Sequence, residues 1–270
     1  MDEKIQKVLA RAGYGSRREI ETWIEHGRIK VNGQLATLGD RVGPADRIFL
    51  DGKPLRLQHS PRLRVIAYHK PVGEVCTRQD PEGRPTIFER LPRIQHGRWI
   101  AVGRLDITTS GLLLLTTDGD LANRLMHPSS EIEREYAVRV LGELTPENLQ
   151  QLQSGVMLDD GMAHFDRILD SGGEGSNHWY HVTLREGRNR EVRRLWEAVG
   201  MKVSRLIRIR YGNIELGRSL RPGKFRDLEL DELQRLLKQV GMTQEIATQT
   251  PRRLQGKIHK GSRSKVRKSR

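Results

Sequence analysis

Two charged residues, Arg104 and Asp106, stand between the apolar runs Trp99-Ile-Ala-Val102 and Leu112-Leu-Leu-Leu115. A carboxylate beside buried strands is costly unless something answers it. Its side chain can close an Asx turn at the head of Asp106-Ile-Thr-Thr-Ser-Gly111. It can equally act as a nucleophile or base, and the spacing alone weighs the two readings equally. Two further stretches carry groups of interest. Glu133-Arg-Glu-Tyr-Ala-Val-Arg-Val140 alternates like a strand, with Tyr136, Val138 and Val140 on one face. In Glu186-Gly-Arg-Asn-Arg-Glu-Val-Arg-Arg-Leu-Trp-Glu-Ala-Val-Gly200, Asn189 can cap a helix whose apolar face is Val192, Leu195, Trp196 and Val199, with Gly200 ending it. Arg193 sits beside that face, so its guanidinium can run along the interior.

The elements that must position these groups read as strands and short helices. The runs at 99–102 and 112–115 are too short for helices and are bounded by Gly or Asp, which predicts two buried strands joined by a loop. Further strands are expected at 65–68, 179–184, 203–209 and 225–230, and helices at 121–126, at 145–153 behind Thr145-Pro146, and near 231–240. Ser171-Gly-Gly-Glu-Gly175 precedes a strand and not a helix, so it is a hairpin loop and no phosphate cradle. His178 and His181 lack metal-ligand spacing, and no metal site is expected. The irregular Asp80-Pro-Glu-Gly-Arg-Pro85 segment reads as a surface loop that, with Arg78 and Arg84, could touch a phosphate.

Composition narrows the class. The chain has 270 residues with 48 Lys and Arg against 34 Asp and Glu, a net charge of +14, which favours polyanions. No apolar run is long enough to span a bilayer and the N-terminus lacks a signal-peptide core, so a cytoplasmic protein is expected. Cys76 is the single cysteine, which excludes an internal disulfide and leaves a structural thiol. Residues 251–270 hold nine of the basic residues and no acid, and read as a disordered basic arm for an anionic partner.

The first sixty residues form a unit of their own. Ile5, Val8, Leu9 and Ala12 make a helical stripe over 3–12 that Gly13 stops; Ser16-Arg-Arg-Glu19 has capping-box spacing ahead of Ile20, Trp23 and Ile24. Arg17 and Arg18 then fall in a first helical turn, where a cation sits badly unless an anion lies nearby. Arg28-Ile-Lys-Val-Asn-Gly-Gln-Leu35 alternates around Asn32-Gly33, a hairpin signal, and another strand follows near Ile48. This unit resembles the αL-motif RNA-binding domain, first recognised in a small-subunit ribosomal protein, on the pattern LARAGYGSRREIETWIEHGRIKVNG. The resemblance implies an RNA-facing side carrying Arg11, Arg17, Arg18 and Lys30; as a bare charge run they would be a solvated face.

Three pieces, GRLDITTSGLLLLTTDG, EREYAV and EGRNREVRRL, occur in the order and with the separations of the signature motifs of the RNA pseudouridine synthases. The chain resembles the branch of that family that carries an N-terminal αL-motif domain and modifies ribosomal RNA, over about residues 3–240. The resemblance implies an α+β protein: the αL-motif RNA-binding domain (1–62), a catalytic domain with a mixed or antiparallel β-sheet, a central cleft and flanking helices (63–242), and the basic tail (243–270). It implies isomerisation of uridine in large-subunit (23S) ribosomal RNA, free or in a precursor particle, with no cofactor and no metal; nothing in the sequence suggests more than a monomer. Asp106 matches the essential aspartate, Tyr136 the tyrosine that stacks under the base, Arg193 the basic partner of the aspartate and Arg104 the arginine that replaces the extruded base. An Asp106–Arg193 ion pair is therefore expected, because Arg holds its proton and keeps a desolvated carboxylate ionised; breaking a buried pair of that kind costs on the order of 3–5 kcal/mol. The competing readings are a sibling acting on 16S ribosomal RNA or transfer RNA, and a non-catalytic RNA-binding assembly factor.

Overall fold

The Leu112–Leu115 run is apolar on both strand faces because its strand lies in the middle of a sheet covered on both sides. In the computed structural model, which describes residues 2–57, 63–94, 97–174 and 176–242, this strand spans Ser110–Thr116 and every residue in it is buried. Leu113 and Leu115 enter a cluster with Ile66, Tyr68, Tyr136, Val138, Val140 and Trp196. Leu112 and Leu114 enter a second cluster with Val65, Ala67, Tyr211, Leu125 and Leu236. Side chains that alternate along one strand thus serve two cores.

The sheet has nine strands, whose principal order in space is Arg167–Glu174, Asn177–Leu184, Arg134–Leu141, Val203–Tyr211, Ser110–Thr116, Val65–Lys70 and Phe225–Asp227. Its pairings are antiparallel except where Val203–Tyr211 meets Ser110–Thr116 in parallel. The expected loop is there: Ile100–Val102 pairs antiparallel with Ser110–Thr116, leaving 103–109 between them. Gly111 marks the parallel contact, with φ +112° and the Arg208 carbonyl oxygen 2.2 Å from where a Cβ would lie. Only glycine admits so close a backbone. Helices Gly119–Met126, Pro146–Ser154, Glu191–Ala198 and Leu230–Gln239 flank the sheet, and Thr145 caps the second of them through the Asn148 amide as its type predicts. The expected strand at 225–230 is shorter, Phe225–Asp227, because the chain turns into the next helix at Glu229, whose carboxylate takes part in a capping box with Glu232.

The N-terminal unit has its own core of Ile5, Leu9, Ile20, Ile24, Ile29 and Ile48. Its helices are Ile5–Arg11 and Arg17–Glu25, and the Ser16–Glu19 capping box is complete. Asn32 and Gly33 take positive φ angles of 51° and 90° between strands Ile29–Val31 and Gln34–Leu35, as a type I′ hairpin requires. The first helix begins two residues later than the stripe predicts, because Glu3–Lys4 pairs as a short strand with Arg41–Val42. Lys7 reaches Asp120 of the larger unit at 2.8 Å. Residues 58–62 and the basic tail (243–270) lie outside the described residues, as does the expectation placed on the tail. No helix of the described residues is long and apolar enough to cross a membrane.

Candidate active site

The 103–109 loop is held by its backbone, which leaves its one carboxylate free. The Lys70 ammonium, fully buried at the end of its strand, donates to the carbonyls of Pro71 (3.0 Å), Asp106 (3.0 Å) and Thr109 (2.9 Å). Burial holds this lysine below the ordinary lysine range. The Thr109 amide donates to the Asp106 carbonyl at 3.0 Å, and the Gly73 amide to the Ile107 carbonyl at 2.8 Å. Cys76 sits against the Leu105 amide and carbonyl, each 3.4 Å from its sulfur, and burial raises its thiol. The turn is therefore closed by the Asp106 main chain. Among the described residues no backbone amide donates to the Asp106 side chain, so the Asx-turn reading falls away.

The helix Glu191–Ala198 faces this loop. Arg193 is buried, and its guanidinium donates to the Thr108 carbonyl (3.2 Å) and the Val203 carbonyl (3.1 Å). Burial first, then the neighbouring Arg190 charge, weaken Arg193 as a base, and the Asp106 carboxylate opposes both. The expected Asp106–Arg193 ion pair does not form: the cation within 4 Å of the carboxylate is Arg190, whose Nη1 lies 3.9 Å from Asp106 Oδ2. The reason is local competition. Arg193 lies one helical turn in, where two main-chain carbonyls take its hydrogen bonds, whereas Arg190 lies at the helix start. The helix start also differs from expectation. Arg190, not Asn189, is its N-cap; it makes no side-chain cap and has φ 47° and ψ 28°.

Tyr136 is buried in the same cluster as Leu105, next to Asp106, and Val192, next to Arg193. Leu105, Tyr136 and Val192, one from each signature stretch, thus share one hydrophobic cluster. Tyr136 lies opposite Val182 on one side and Arg208 on the other, beside an irregularity in the ladder at Glu135/Tyr136. Arg104 is exposed, with no hydrogen bond or ion pair among the described residues. In the N-terminal unit Arg17, Arg18 and Lys30 are exposed, but Arg11 is held by Glu3 at 2.8 Å. Arg84 is likewise engaged, by Asp80 at 2.7 Å and Glu82 at 2.9 Å, and Arg78 lies over the Phe88 ring. Arg11, Arg78 and Arg84 thus each have an internal partner. Glu143, Asp170 and His178 draw together away from the loop, at the edge hairpin of the sheet, where His178 Nε2 contacts Asp170 at 2.7 Å.

Sequence reasoning missed four members of this site. Lys70 ends an apolar strand, where a lysine signals a buried ammonium or a strand end equally. Arg190 was hidden behind Arg193, three residues away. Arg208 is buried, with Nε donating to the Leu112 carbonyl at 2.7 Å, and nothing in a strand pattern announces such an arginine. Gly111 did carry a signal, since a glycine inside an apolar strand marks close backbone approach.

Comparison with known proteins agrees with this geometry. Residues 64–198 match the model of the RNA pseudouridylate synthase family and residues 3–48 that of the S4 domain. The chain is 62% identical over 234 residues, 85% of its length and 80% of the relative's, to the ribosomal large subunit pseudouridine synthase B of Salmonella typhimurium. It is 59% identical over 252 residues, 92% of its length and 87% of the relative's, to the protein of the same name from Escherichia coli. A crystal structure of a pseudouridylate synthase superposes with a TM-score of 0.61 at 26% identity, covering 86% of this chain and 99% of that one. The 103–109 loop with its carboxylate is thus the candidate centre of an RNA uridine isomerase, and the chain belongs to the RNA pseudouridylate synthase family, with an S4 domain at its N-terminus.

Proposed function

We propose that this chain converts a defined uridine of 23S ribosomal RNA to pseudouridine, with Asp106 as the catalytic carboxylate. The observation that carries the reading is a carboxylate without a hydrogen bond among the described residues, on a loop that is held through its own main-chain groups, with an arginine at 3.9 Å. The reaction is an isomerisation. The bond from the ribose anomeric carbon to nitrogen 1 breaks, a bond from that carbon to carbon 5 forms, carbon 5 gives up its proton and nitrogen 1 ends protonated. Asp106 attacks or deprotonates at the ribose; its acceptor lone pairs are available because the turn does not use them. Tyr136 lies under the base as it turns. Arg104, exposed and two residues before Asp106, fills the place of the extruded base, whose unstacking costs a few kcal/mol. Arg193 braces the loop through Thr108. The N-terminal domain (1–62) presents Arg17, Arg18 and Lys30 to RNA, the 63–242 domain performs the chemistry and the basic tail (243–270) adds nonspecific attraction.

The substrate assignment rests on relatives named for the large ribosomal subunit. The test is nucleotide-resolved pseudouridine mapping of total RNA from cells lacking the protein, rescued by wild type or by Asp106→Asn. One large-subunit mark should vanish and return with wild type alone. A mark lost from 16S ribosomal or transfer RNA would reassign the substrate, and rescue by Asp106→Asn would remove the carboxylate from the mechanism.

A further inference from the structure

Four arginines among the described residues have a buried guanidinium nitrogen without a hydrogen-bond partner: Arg98, Arg193, Arg194 and Arg208. Three of them donate through their other nitrogens, Arg193 to the Thr108 and Val203 carbonyls, Arg194 to Asp160 and Arg208 to the Leu112 carbonyl. Arg98 is the exception. It is half-buried, and among the described residues it makes no hydrogen bond and no ion pair. A partly desolvated guanidinium with nothing to donate to is costly, and its planar fork of donors fits the oxygens of a phosphate.

Arg98 lies at the seam between the two units. Its neighbour Gly97 packs so closely on Gly13 of the N-terminal unit that a Cβ on Gly13 would lie 2.9 Å from the Gly97 amide nitrogen. Burial, then the charge of Arg17 from the N-terminal unit, hold the Arg98 guanidinium below the ordinary arginine range, and Glu19 opposes them. Arg17 is exposed and, like Arg98, unpaired among the described residues. On the other side Arg78 donates through Nη2 to the carbonyl of Trp99, the residue after Arg98, and lies over the Phe88 ring. Partial desolvation, then the Arg98 charge, lower Arg78 as well. Glu19 offers little compensation, because its Oε2 accepts from the Ser16 amide in its own capping box.

We infer that Arg98, flanked by Arg17 and Arg78, is a binding site for one backbone phosphate of the substrate RNA, held from both sides of the seam so that bound RNA ties the N-terminal unit to the catalytic unit. A phosphate there gains charge-assisted hydrogen bonds and relieves the repulsion among the arginines. RNA is the anion the place fits, since the seam joins an S4 domain to a pseudouridylate synthase domain. Such a contact fixes the register of the RNA without reading its bases. The inference rests on the chain acting on ribosomal RNA as proposed above, whichever uridine is changed.

The experiment measures the dissociation constant of the full-length protein for a large-subunit ribosomal RNA fragment over a series of salt concentrations. Wild type, Arg17→Met, Arg98→Met, Arg98→Lys and the double variant Arg17→Met/Arg98→Met are compared, with thermal melting of each in the absence of RNA. Arg98→Met should bind about tenfold more weakly, with a salt slope smaller by about one unit. Arg98→Lys should recover the slope and part of the affinity. Because Arg17 and Arg98 hold the same phosphate, the double variant should lose less than the product of the two single losses. Without RNA, Arg98→Met should melt no lower than wild type, since the cation it removes bonds nothing. A lower melting temperature in Arg98→Met would make Arg98 a structural cation and overturn the inference, and single losses that simply multiply in the double variant would overturn the shared phosphate. Wild-type affinity and slope in Arg98→Met, beside a wild type that binds and isomerises the fragment, defeat the inference alone; a wild type that neither binds nor isomerises it defeats the proposed function as well.

Discussion

Replacing Lys70 by methionine keeps the length and apolar contact of a fully buried side chain and removes only its three donors. The Asp106 carbonyl retains the Thr109 amide as a donor, so two carbonyls, those of Pro71 and Thr109, lose the partner that Lys70 supplies. An orphaned buried acceptor costs about 1–3 kcal/mol. Against this, the variant no longer buries an ammonium, a saving that in general amounts to several kcal/mol and cancels part of the loss. A net loss of about 1–3 kcal/mol is expected, which at about 2–4 °C per kcal/mol for a domain of this size lowers the melting temperature by roughly 2–12 °C. The loop that carries Asp106 loosens with it, and misplacement by about 1 Å can reduce a rate by about a hundredfold. Calorimetric melting and single-turnover isomerisation of an RNA substrate measure both effects. The pH dependence adds a sign. Burial lowers the folded-state value of Lys70 below that of the unfolded chain, so the unfolded chain holds the proton over the window between the two. Stability of the wild type therefore rises with pH through that window relative to Lys70→Met, and the contribution is lost as pH falls below the folded value. A variant that melts with wild type, reacts at the wild-type rate and shows the same alkaline slope would refute the account of Lys70 as the brace of this loop.

Gly111→Ala places a Cβ 2.2 Å from the Arg208 carbonyl oxygen and 2.5 Å from its amide nitrogen at φ +112°; a loss of at least about 3 kcal/mol is expected, read as low soluble yield or a depressed melting temperature, and wild-type melting would contradict the close approach. Arg193→Met removes the donors of the Thr108 and Val203 carbonyls and should cost about 2–5 kcal/mol, so stability and activity fall together, read by melting and single-turnover rate. Ser16→Ala removes the acceptor of the Glu19 amide and should cost the N-terminal domain about 1 kcal/mol in chemical denaturation. Deleting residues 251–270 removes nine cations and should weaken RNA binding and flatten its dependence on salt; an unchanged slope would remove the tail from the binding surface.

Much of this protein is local and so legible in the chain itself. The Ser16–Glu19 box, the Asn32-Gly33 turn and the Thr145-Pro146 cap each involve residues at most three apart, and all form as their types dictate. The Leu112–Leu115 run and the Tyr136, Val138 and Val140 face are periodic, and periodicity carries burial. The order and spacing of three motifs singled out Asp106, Tyr136 and Arg193, and Leu105, Tyr136 and Val192 share one cluster although they are far apart in the chain. Contact between particular side chains was not. Arg190 and Arg193 differ by three positions, so helical geometry offers either to the loop. The choice turns on carbonyls of Thr108 and Val203, the former 85 residues distant in the chain, and on a left-handed residue that no propensity favours. Lys70 likewise became a brace only when Asp106 and Thr109 were folded over it. Sequence alone determined most of the helices and sheet strands, because turns, caps and periodic faces are decided within a few residues. Tertiary structure alone decided which cation meets the Asp106 carboxylate, because hydrogen bonds to main-chain oxygens of remote strands compete for the same arginines.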